Sequence, residues 1–310
     1  RYPKDAEQAR RFFLERRAGD AGEIPYAKLD AALARAARMK PYRVAGNAKS
    51  RAAGVADLGG WQALGPANLG GRTKALLIDP RRPEVMYAGA ATGGVWKTEN
   101  AGLDWRPLGD KLPSLGIGAL AFDPSRPDTI YAGTGFWFNA LSASNVLGSA
   151  PRGAGIYRSR DAGETWEPLS QPANAAVFRY VNQIVVSRHD PNRLYVATWT
   201  GIYVTRDGGA TWSLSLDRGT ANGCQSMVAR TDQETDYLFA ACGYTANDAA
   251  AIFRNKDAAN EGTWERVHAP RGMSNTTLAL APSNQDVIYA LSASNDPANP
   301  DFLFGLLAVF

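Results

Sequence analysis

The 310-residue sequence is poor in the residues that most metal and catalytic sites use, since it has only two histidines and two cysteines. Zinc sites and catalytic triads need several such side chains close together, and His189 and His268 are far apart in the chain. The sequence also lacks an apolar run of the roughly 18 to 20 residues that cross a bilayer. We therefore expect no metal site, no cofactor and no membrane span.

The sequence also lacks a broad excess of charges of one sign along most of its length. The net charge is +4, from 34 Lys and Arg against 30 Asp and Glu, and residues 1–60 hold 13 basic and 7 acidic side chains. The basic excess therefore belongs to the N-terminal segment, and the rest of the chain offers no broad basic surface for nucleic acid. The sequence does contain 45% hydrophobic residues, 31 Gly and 18 Pro, which is typical of many short strands joined by turns and excludes disorder.

One unit recurs along most of the chain: an apolar strand ending near Asp-Pro, a strand of the type x-x-Tyr-Ala-Gly, a strand led by Gly, and a Gly-containing turn ending in Trp. The copies lie at residues 74–105, 118–166, 182–212 and, more loosely, 225–264, and a fifth begins at residue 277. The closing tryptophans are 61, 46 and 52 residues apart. This period suits four short antiparallel strands, the size of one propeller blade. The sequence therefore predicts an all-β propeller of stacked, four-stranded antiparallel blades.

Three segments share a pattern that begins with Trp, and one of them could supply the strand that closes the propeller. Residues 61–65, WQALG, match the predicted outer strands WRPLG at 105–109 and WEPLS at 166–170. Five blades result if 61–65 is the outer strand of a last blade built from residues 275–310. A larger propeller, of which this chain is a piece, is the alternative that we favour, because a final apolar segment such as GLLAVF leaves a sheet edge unprotected.

The N-terminal residues differ in kind from the repeats. Residues 3–19 and 25–40 combine helical periodicity with helix-forming residues, and Gly and Pro lie near their ends. We predict a short α-helical leader over residues 1–48, a Gly- and Ala-rich linker over 49–60, and the propeller over 61–310.

The two cysteines fall in consecutive predicted strands, GCQSMVAR and DYLFAAC. If these strands pair as a hairpin centred near Gln233, Cys224 lies opposite Cys242, because each is nine residues from the centre. Cross-strand neighbours have the Cα separation that a disulfide needs. We predict a Cys224–Cys242 disulfide, which favours an oxidising compartment, and two buried free thiols are the alternative.

The turns that close the second and third copies carry a specific motif. SRDAGETW at 159–166 and TRDGGATW at 205–212 share the pattern Ser/Thr-x-Asp-x-Gly-x-Thr-Trp. An Asp at this place accepts backbone N–H groups within the turn, Gly adopts a positive φ, and Trp packs between the hairpin and the blade. We therefore assign a structural role, and no chemistry, to six residues: Asp161, Gly163, Trp166, Asp207, Gly209 and Trp212.

These repeats resemble the Asp-box, or BNR-repeat, propeller superfamily over residues 61–310. The superfamily includes sialidases, xyloglucan-hydrolysing glycoside hydrolases, sortilin-type receptor ectodomains and photosystem assembly factors. Residues 65–102 look like large exported bacterial proteins described as sialidase-like or glycosyl-hydrolase-like. The resemblance implies a propeller with further blades or a partner chain, structural Asp boxes, and a location that is extracellular, at the cell surface or periplasmic.

The catalytic residues of hydrolases in this superfamily lack clear counterparts here. The resemblance places a catalytic Asp of the xyloglucan hydrolases after the second strand of the first blade, where this sequence has Ala91. Arg72, Arg152 and Arg179 are candidates for a sialidase arginine cluster, but the Arg-Ile-Pro segment of sialidases is missing. Since glycoside hydrolysis generally needs two carboxylates, we predict no catalytic residue in this chain. A glycoside hydrolase whose carboxylates are completed outside this segment is the alternative.

The remaining indication of function is a possible ligand-binding surface on one face of the propeller. In a propeller, the connections from second to third strands and those from blade to blade share one face, where ligands usually bind. The connection at 136–153 is a long insertion, and long ordered loops in compact repeats are commonly functional. Aromatic and arginine side chains suit sugars or extended peptides. The candidate ligand-binding residues are Arg72, Trp137, Phe138, Phe178, Arg179, Tyr180, Trp199 and Tyr244, although each taken singly is better explained by packing, as for Trp137 and Phe178 between blades.

Three functions fit these observations. The leading one is an exported, non-catalytic module that recognises a glycan or a protein through its loop face, as part of a larger polypeptide or assembly. The second is a sialidase-like or endo-glucanase-like glycoside hydrolase. The third is an assembly or scaffold factor whose propeller makes permanent protein contacts.

Overall fold

The computed structural model describes residues 72–135, 152–170, 175–219, 223–243, 250–294 and 306–309, together with five helical positions between residues 28 and 38. The chain divides into two compact units, Arg1–Gly71 and Arg72–Phe310. In the first unit the described positions are helical and exposed, and they fall within the helix predicted over 25–40: Lys28, Ala31, Ala32, Arg35 and Arg38. The helix predicted over 3–19, the linker and the strand at 61–65 lie outside the described residues. Among the residues described, no helix is long and apolar enough to cross a membrane.

The second unit consists of five antiparallel sheets, which we number as blades one to five in chain order. Blade one contains β1 (Thr73–Asp79), β2 (Arg82–Ala90), β3 (Gly94–Thr98) and β4 (Arg106–Pro107). Blade two contains β5 (Ile117–Asp123), β6 (Arg126–Thr134), β7 (Ile156–Ser159) and β8 (Glu167–Pro168). Blade three contains β9 (Val181–Val186), β10 (Leu194–Thr198), β11 (Gly201–Thr205) and β12 (Ser213–Asp217).

Blade four contains β13 (Cys224–Ala229), β14 (Leu238–Cys242), β15 (Ala251–Asn255) and β16 (Glu265–His268). Blade five contains β17 (Met273–Leu280), β18 (Ile288–Ser294) and β19 (Leu306–Val309). Within each blade, strands that follow one another in sequence are neighbours in the sheet, so four blades have four strands and the described part of blade five has three. This topology confirms the predicted all-β propeller of four-stranded antiparallel blades.

The first strands of successive blades form the inner part of the stack. β1 contacts β5, β5 contacts β9, β9 contacts β13, and β13 contacts β17. β5 is almost completely buried, whereas side chains of β1 alternate between exposed and half-buried. On the exposed side of β1, Leu76 and Ile78 are 56% and 52% exposed, and Tyr289 and Leu291 on β18 are exposed to a similar degree. The outer faces of blades one and five are therefore apolar and largely uncovered by described residues.

The glycine of the x-x-Tyr-Ala-Gly strands allows neighbouring blades to approach closely. A Cβ on Gly89 would lie 2.7 Å from Cγ2 of Ile117, and a Cβ on Gly133 would lie 2.3 Å from Cγ1 of Val181. Ile117 and Val181 are the first residues of the next blades' inner strands. Glycine is required at these positions because any side chain would overlap the next blade.

The connections between strands divide the propeller into two faces. The loop face carries the connections from second to third strands and from blade to blade. Its described residues are 72–74, 90–94, 108–116, 134–135, 152–155, 169–170, 175–180, 198–200, 217–219, 223, 243, 250 and 269–272. The turn face, at the opposite ends of the strands, carries the connections from first to second and from third to fourth strands.

Candidate binding surface

The turn that joins β11 to β12 lies on the turn face and is closed by its own side chains. Asp207 accepts hydrogen bonds from the N–H groups of Ala210 and Thr211, both at 2.9 Å, and from the Thr211 hydroxyl at 2.5 Å. Thr205 donates its hydroxyl to Asp207 at 2.7 Å and accepts the N–H of Gly209 at 2.9 Å. The hydrogen bonds from Thr211, followed by that from Thr205, hold the pKa of the Asp207 carboxyl well below its ordinary value.

The turn that joins β7 to β8 has the same geometry around Asp161. Asp161 accepts the N–H of Thr165 at 2.8 Å and its hydroxyl at 2.6 Å, while Ser159 accepts the N–H of Gly163 at 2.7 Å. Burial alone would raise the pKa of Asp161, but the hydrogen bonds from Thr165 and Ser159 together outweigh it, and the pKa is lowered. Gly163 and Gly209 have φ values of 93° and 94°, in the left-handed region. Both carboxylates thus serve their own turns, which is a structural role.

Blade one shows that the turn tolerates an exchange of its polar side chains. Asn100 occupies the position of Asp161 and Asp207, and Asp104 occupies the position of the threonine. Asn100 accepts the N–H of Asp104 at 2.9 Å and donates its side-chain amide to the Asp104 carboxylate at 3.1 Å. The donor and acceptor side chains have changed places while the turn is retained.

The tryptophans that end these turns pack against the preceding blade. Trp212 of blade three donates its Nε1–H to the carbonyl of Ser170, which follows β8 of blade two, at 2.9 Å. Trp166 of blade two packs in one apolar cluster with Leu108, which follows β4 of blade one. These side chains therefore join blades to one another.

Cys224 and Cys242 are cross-strand partners at the loop-face ends of β13 and β14, in the register expected from the sequence. Their sulfur atoms are bonded at 2.08 Å, and both residues are buried. The bond joins the two strands where the connection at 244–249 leaves the sheet. That connection contains the candidate Tyr244, which lies outside the described residues.

Backbone contacts fix the two points where the long connection at 136–151 leaves the loop face. Gly153 donates its N–H to the carbonyl of Arg179 at 2.8 Å, and Val181 donates its N–H to the carbonyl of Gly135 at 3.2 Å. A Cβ on Gly135 would lie 2.2 Å from the carbonyl oxygen of Arg179, so only glycine permits this approach. The base of the insertion in blade two is therefore attached to the start of blade three.

Two of the predicted ligand-binding aromatics are buried, so their side chains do not form part of the exposed loop face of the free chain. Phe178 is 1% exposed and packs edge-to-face against Tyr203 and Trp212, with ring centroids 5.7 and 4.9 Å apart. Tyr180 is 3% exposed. The apolar contacts between blades two and three account for Phe178, which agrees with the packing alternative stated for this residue.

Three other candidates reach the surface of the loop face. Arg72 and Arg179 are exposed, and Trp199 is partly exposed. Trp199 packs edge-to-face against Tyr180, with centroids 5.8 Å apart, and donates its Nε1–H to the carbonyl of Ala176 at 3.2 Å. These contacts hold the indole in one orientation. The remaining candidates, Trp137 and Phe138, lie outside the described residues.

Basic side chains outnumber acidic ones on the described part of the loop face. The basic residues are Arg72, Lys74, Lys111, Arg152, Arg179, Arg218 and Arg271, and the acidic ones are Asp110 and Asp217. Burial and the nearby Arg72 lower the pKa of Lys74, and burial and Arg266 lower the pKa of Arg218. This basic patch could not be predicted from the sequence, because its members come from connections that are distant along the chain.

Buried carboxylates, by contrast, lie on the turn face. Asp79, Asp123 and Asp236 are 1%, 0% and 4% exposed, and each accepts hydrogen bonds from an arginine. Ala91, at the place of the hydrolases' catalytic Asp, is 6% exposed and donates its N–H to the carbonyl of Arg72 at 2.8 Å. Within the described ranges, no group of three or more His, Cys, Asp or Glu side chains is placed to hold a metal ion.

Comparison with known proteins supports the fold. No family model and no curated protein sequence matches this chain. Among solved structures, it is similar to an ancestral GH74 enzyme, with 15% identity and a TM-score of 0.50 over 77% of this chain and 32% of that one. A GH74 enzyme of Niastella koreensis has 19% identity and a TM-score of 0.50 over 70% of this chain and 33% of that one. YCF48 from Cyanidioschyzon merolae has 13% identity and a TM-score of 0.50 over 78% of this chain and 73% of that one. The chain spans about a third of the length of these two GH74 enzymes. The similarity shows a shared propeller fold, and membership of the Asp-box superfamily stays a prediction.

Proposed function

We propose that this chain is an exported binding module that recognises a glycan or a protein through its loop face, and that the ligand presents an acidic group there. The observation that carries the proposal is the excess of basic side chains on the described part of the loop face, which also carries the oriented indole of Trp199. A face with one sign of charge raises the local concentration of oppositely charged ligands.

The chemistry of the exposed candidates supports an acidic ligand. An exposed guanidinium such as that of Arg179 binds a carboxylate or sulfate with two parallel hydrogen bonds. The indole of Trp199 is held in one orientation by Tyr180. It offers an apolar surface on which a sugar ring or a peptide side chain can stack. The disulfide between Cys224 and Cys242 supports export, because such bonds persist in oxidising compartments.

The test is a binding measurement on the full chain with three ligand sets: carboxylated glycans, neutral glycans and acidic peptides. We expect binding to an acidic ligand that weakens with added salt and that falls by about tenfold in Arg179→Ala. The matched control is Arg188→Ala, which removes an exposed arginine from the turn face. Detection of the protein in the extracellular or periplasmic fraction of its own cells tests export separately.

Three outcomes contradict the proposal or replace it. Equal ligand affinity of Arg179→Ala and Arg188→Ala would show that the ligand does not bind at the loop face. Tighter binding of neutral than of acidic ligands would contradict the role proposed for the basic side chains. Release of reducing sugar from a bound glycan would favour a glycoside hydrolase.

A further inference from the structure

The disulfide occupies a rung that blades two, three and four share, at the loop-face end of their first two strands. The facing pairs are Ile117 with Thr134, Val181 with Thr198, and Cys224 with Cys242. In each of these blades the pairing register is interrupted directly beside the rung. Because a β-bulge disrupts the ladder locally, the side chains of this rung help to hold the two strand ends together.

A threonine hydroxyl closes this rung in blades two and three. Thr134 donates its hydroxyl to the carbonyl of Gly155 at 2.6 Å, and Thr198 donates its hydroxyl to the carbonyl of Gly201 at 3.1 Å. Both threonines are completely buried. Blade four has Cys242 at the corresponding position, so a covalent bond takes the place of the hydroxyl contact.

The residues next to the two cysteines attach blade four to the backbone of Trp199 in blade three. Gly223, directly before Cys224, donates its N–H to the carbonyl of Trp199 at 3.0 Å. Gly243, directly after Cys242, donates its N–H to the carbonyl of Gly223 at 2.9 Å. The disulfide and this hydrogen bond therefore fix Gly223 relative to β14, and Gly223 in turn contacts Trp199.

Gly223 lies too close to blade three to carry a side chain. A Cβ there would lie 2.1 Å from the carbonyl oxygen of Thr198 and 2.1 Å from the carbonyl carbon of Trp199. Cys224 adds a second contact between the blades, because its carbonyl accepts the side-chain amide of Asn182, in β9, at 2.9 Å. Since close-packed groups transmit displacements, a shift of residues 223–224 changes the backbone position of Trp199.

We propose that the disulfide between Cys224 and Cys242 is the positioning group for Trp199, so that the loop face reaches its ligand-binding arrangement in the oxidised chain. The inference rests on the proposed function, in which the indole of Trp199 contacts the ligand. Tyr180 and the carbonyl of Ala176 hold the indole, and Gly223 holds the backbone of the same residue. A side chain that is already ordered binds without the cost of ordering it.

Formation of the bond needs a two-electron oxidant. The thiols of Cys224 and Cys242 together lose two hydrogen atoms, and a disulfide of the surrounding compartment takes them up and becomes two thiols. In the thiol form, the hydrogen bond between Gly243 and Gly223 joins the strand ends without the covalent bond beside it. The positioning of Trp199 is thus completed when the chain reaches an oxidising compartment.

Fluorine NMR of the full chain labelled with 5-fluorotryptophan measures the position of Trp199 without a ligand. The resonance of Trp199 is the one missing from Trp199→Phe. We expect it to shift and broaden in Cys224→Ala/Cys242→Ala, while the resonance of Trp212, at the turn-face end of blade three, stays at its wild-type position. The matched control is Met227→Ala, which removes another buried side chain of β13 away from the rung and should leave the Trp199 resonance unchanged.

A second variant keeps the disulfide and disturbs the contact between the blades. Gly223→Ala places a Cβ 2.1 Å from the backbone of Trp199, so the Trp199 resonance should shift while mass spectrometry finds no free thiol. Thermal unfolding shows whether each variant is folded, and if the double cysteine variant is not, Gly223→Ala decides. The proposal is overturned if Trp199 keeps its wild-type resonance in either folded variant, or if Met227→Ala shifts it as far as the double variant does.

A binding measurement connects the position of Trp199 to the proposed function. The probe is fluorescently labelled tetragalacturonate, which carries sugar rings and carboxylates, and its anisotropy is followed as the protein is added. The double cysteine variant should bind it about fivefold more weakly than wild type or Met227→Ala, because one large side chain must then be ordered on binding. Equal affinities of wild type and the double variant would overturn the role of the disulfide in binding. No binding by wild type would count against the proposed function alone, since the fluorine resonance reports on Trp199 without any ligand.

Discussion

At the scale of single residues, one carboxylate determines the conformation of each Asp-containing turn. Replacing Asp207 with Ala removes the acceptor for two backbone N–H groups and two hydroxyls. We expect the free energy of unfolding to fall by about 1 to 2 kcal/mol, as for loss of a helix cap, when measured by urea denaturation. The double variant Asp207→Asn/Thr211→Asp copies the Asn100–Asp104 pair of blade one, so it should lose less than Asp207→Asn alone. Equal losses would contradict the exchange of donor and acceptor roles.

The same carboxylate makes stability depend on pH in the acid range. The pKa of Asp207 is lower in the folded chain than its ordinary value of 3.8, so the unfolded state takes up a proton first as pH falls. The stabilising contribution is complete above the ordinary pKa and is lost as pH falls toward the folded pKa. Thermal unfolding from about pH 6 to about pH 3 should therefore show a shallower decline for Asp207→Ala than for wild type. Parallel curves for the two proteins would show that Asp207 does not contribute.

A single hydrogen-to-methyl change tests the close approach of blades two and three. Gly133→Ala places a Cβ 2.3 Å from Cγ1 of Val181, and the buried strands on both sides leave little room for movement. We expect a loss of about 2 kcal/mol or more by urea denaturation. Gly93→Ala is the control, since its nearest neighbour is the Ala90 Cβ at 3.2 Å and no second blade is involved. A loss at Gly93 as large as that at Gly133 would argue against the inter-blade explanation.

At the scale of strands, the hairpin of β13 and β14 shows what could be predicted from sequence and why. Its register follows from the spacing of apolar residues and of Cys224 and Cys242, because side chains alternate between sheet faces with a fixed period. The burial of Phe178 could not be predicted in the same way. It follows the outer strand of blade two in a short 3-10 segment, where no alternating pattern indicates which side faces the core. Periodicity therefore predicted the strands, and it could not separate buried from exposed aromatics in the connections.

The disulfide at the end of this hairpin gives a prediction for the element. It closes a segment of 18 residues, and the chain-entropy model assigns such a closure about 3 kcal/mol. The double variant Cys224→Ala/Cys242→Ala should therefore unfold at a lower temperature than the oxidised protein. Mass spectrometry of the denatured protein should find no alkylated thiols before reduction and two afterwards. Two thiols that are freely alkylated without reduction would instead support the alternative of buried free cysteines.

At the scale of the whole molecule, charge is distributed unevenly between the two faces. Acidic side chains concentrate on the turn face, where arginines join neighbouring blades, as Arg81 joins Asp128 at 2.6 Å. The described part of the loop face carries more basic than acidic side chains. Outside the first 60 residues the numbers of basic and acidic side chains are nearly equal, so the composition indicated no charged surface. Separation of charge appears only when the fold brings alternate connections to opposite ends of the blades, and the candidate surface could not be predicted without that step.

The contact between blades three and four provides the sharpest test of this inter-blade chemistry. Asp236 is 4% exposed and accepts hydrogen bonds from Ser187 at 2.6 Å, Arg193 at 2.8 Å and Tyr195 at 2.9 Å, all in blade three. Asp236→Ala leaves the guanidinium of Arg193, which is 17% exposed, without this partner carboxylate. The guanidinium then keeps only the longer contact with Asp190, at 3.5 Å, and the hydroxyls of Ser187 and Tyr195 lose their acceptor. We therefore expect a loss of about 2 kcal/mol or more in the free energy of unfolding.

Asp286 supplies the matched control for this prediction. It occupies the corresponding position in blade five and pairs with Arg230 of blade four at 2.7 Å, but its side chain is 78% exposed. Solvent screens such a pair, so Asp286→Ala should unfold at nearly the urea concentration of wild type. If the two variants lose the same stability, burial does not decide the strength of these contacts. A large loss for Asp236→Ala alone would show that the buried carboxylate of blade four stabilises its contact with blade three.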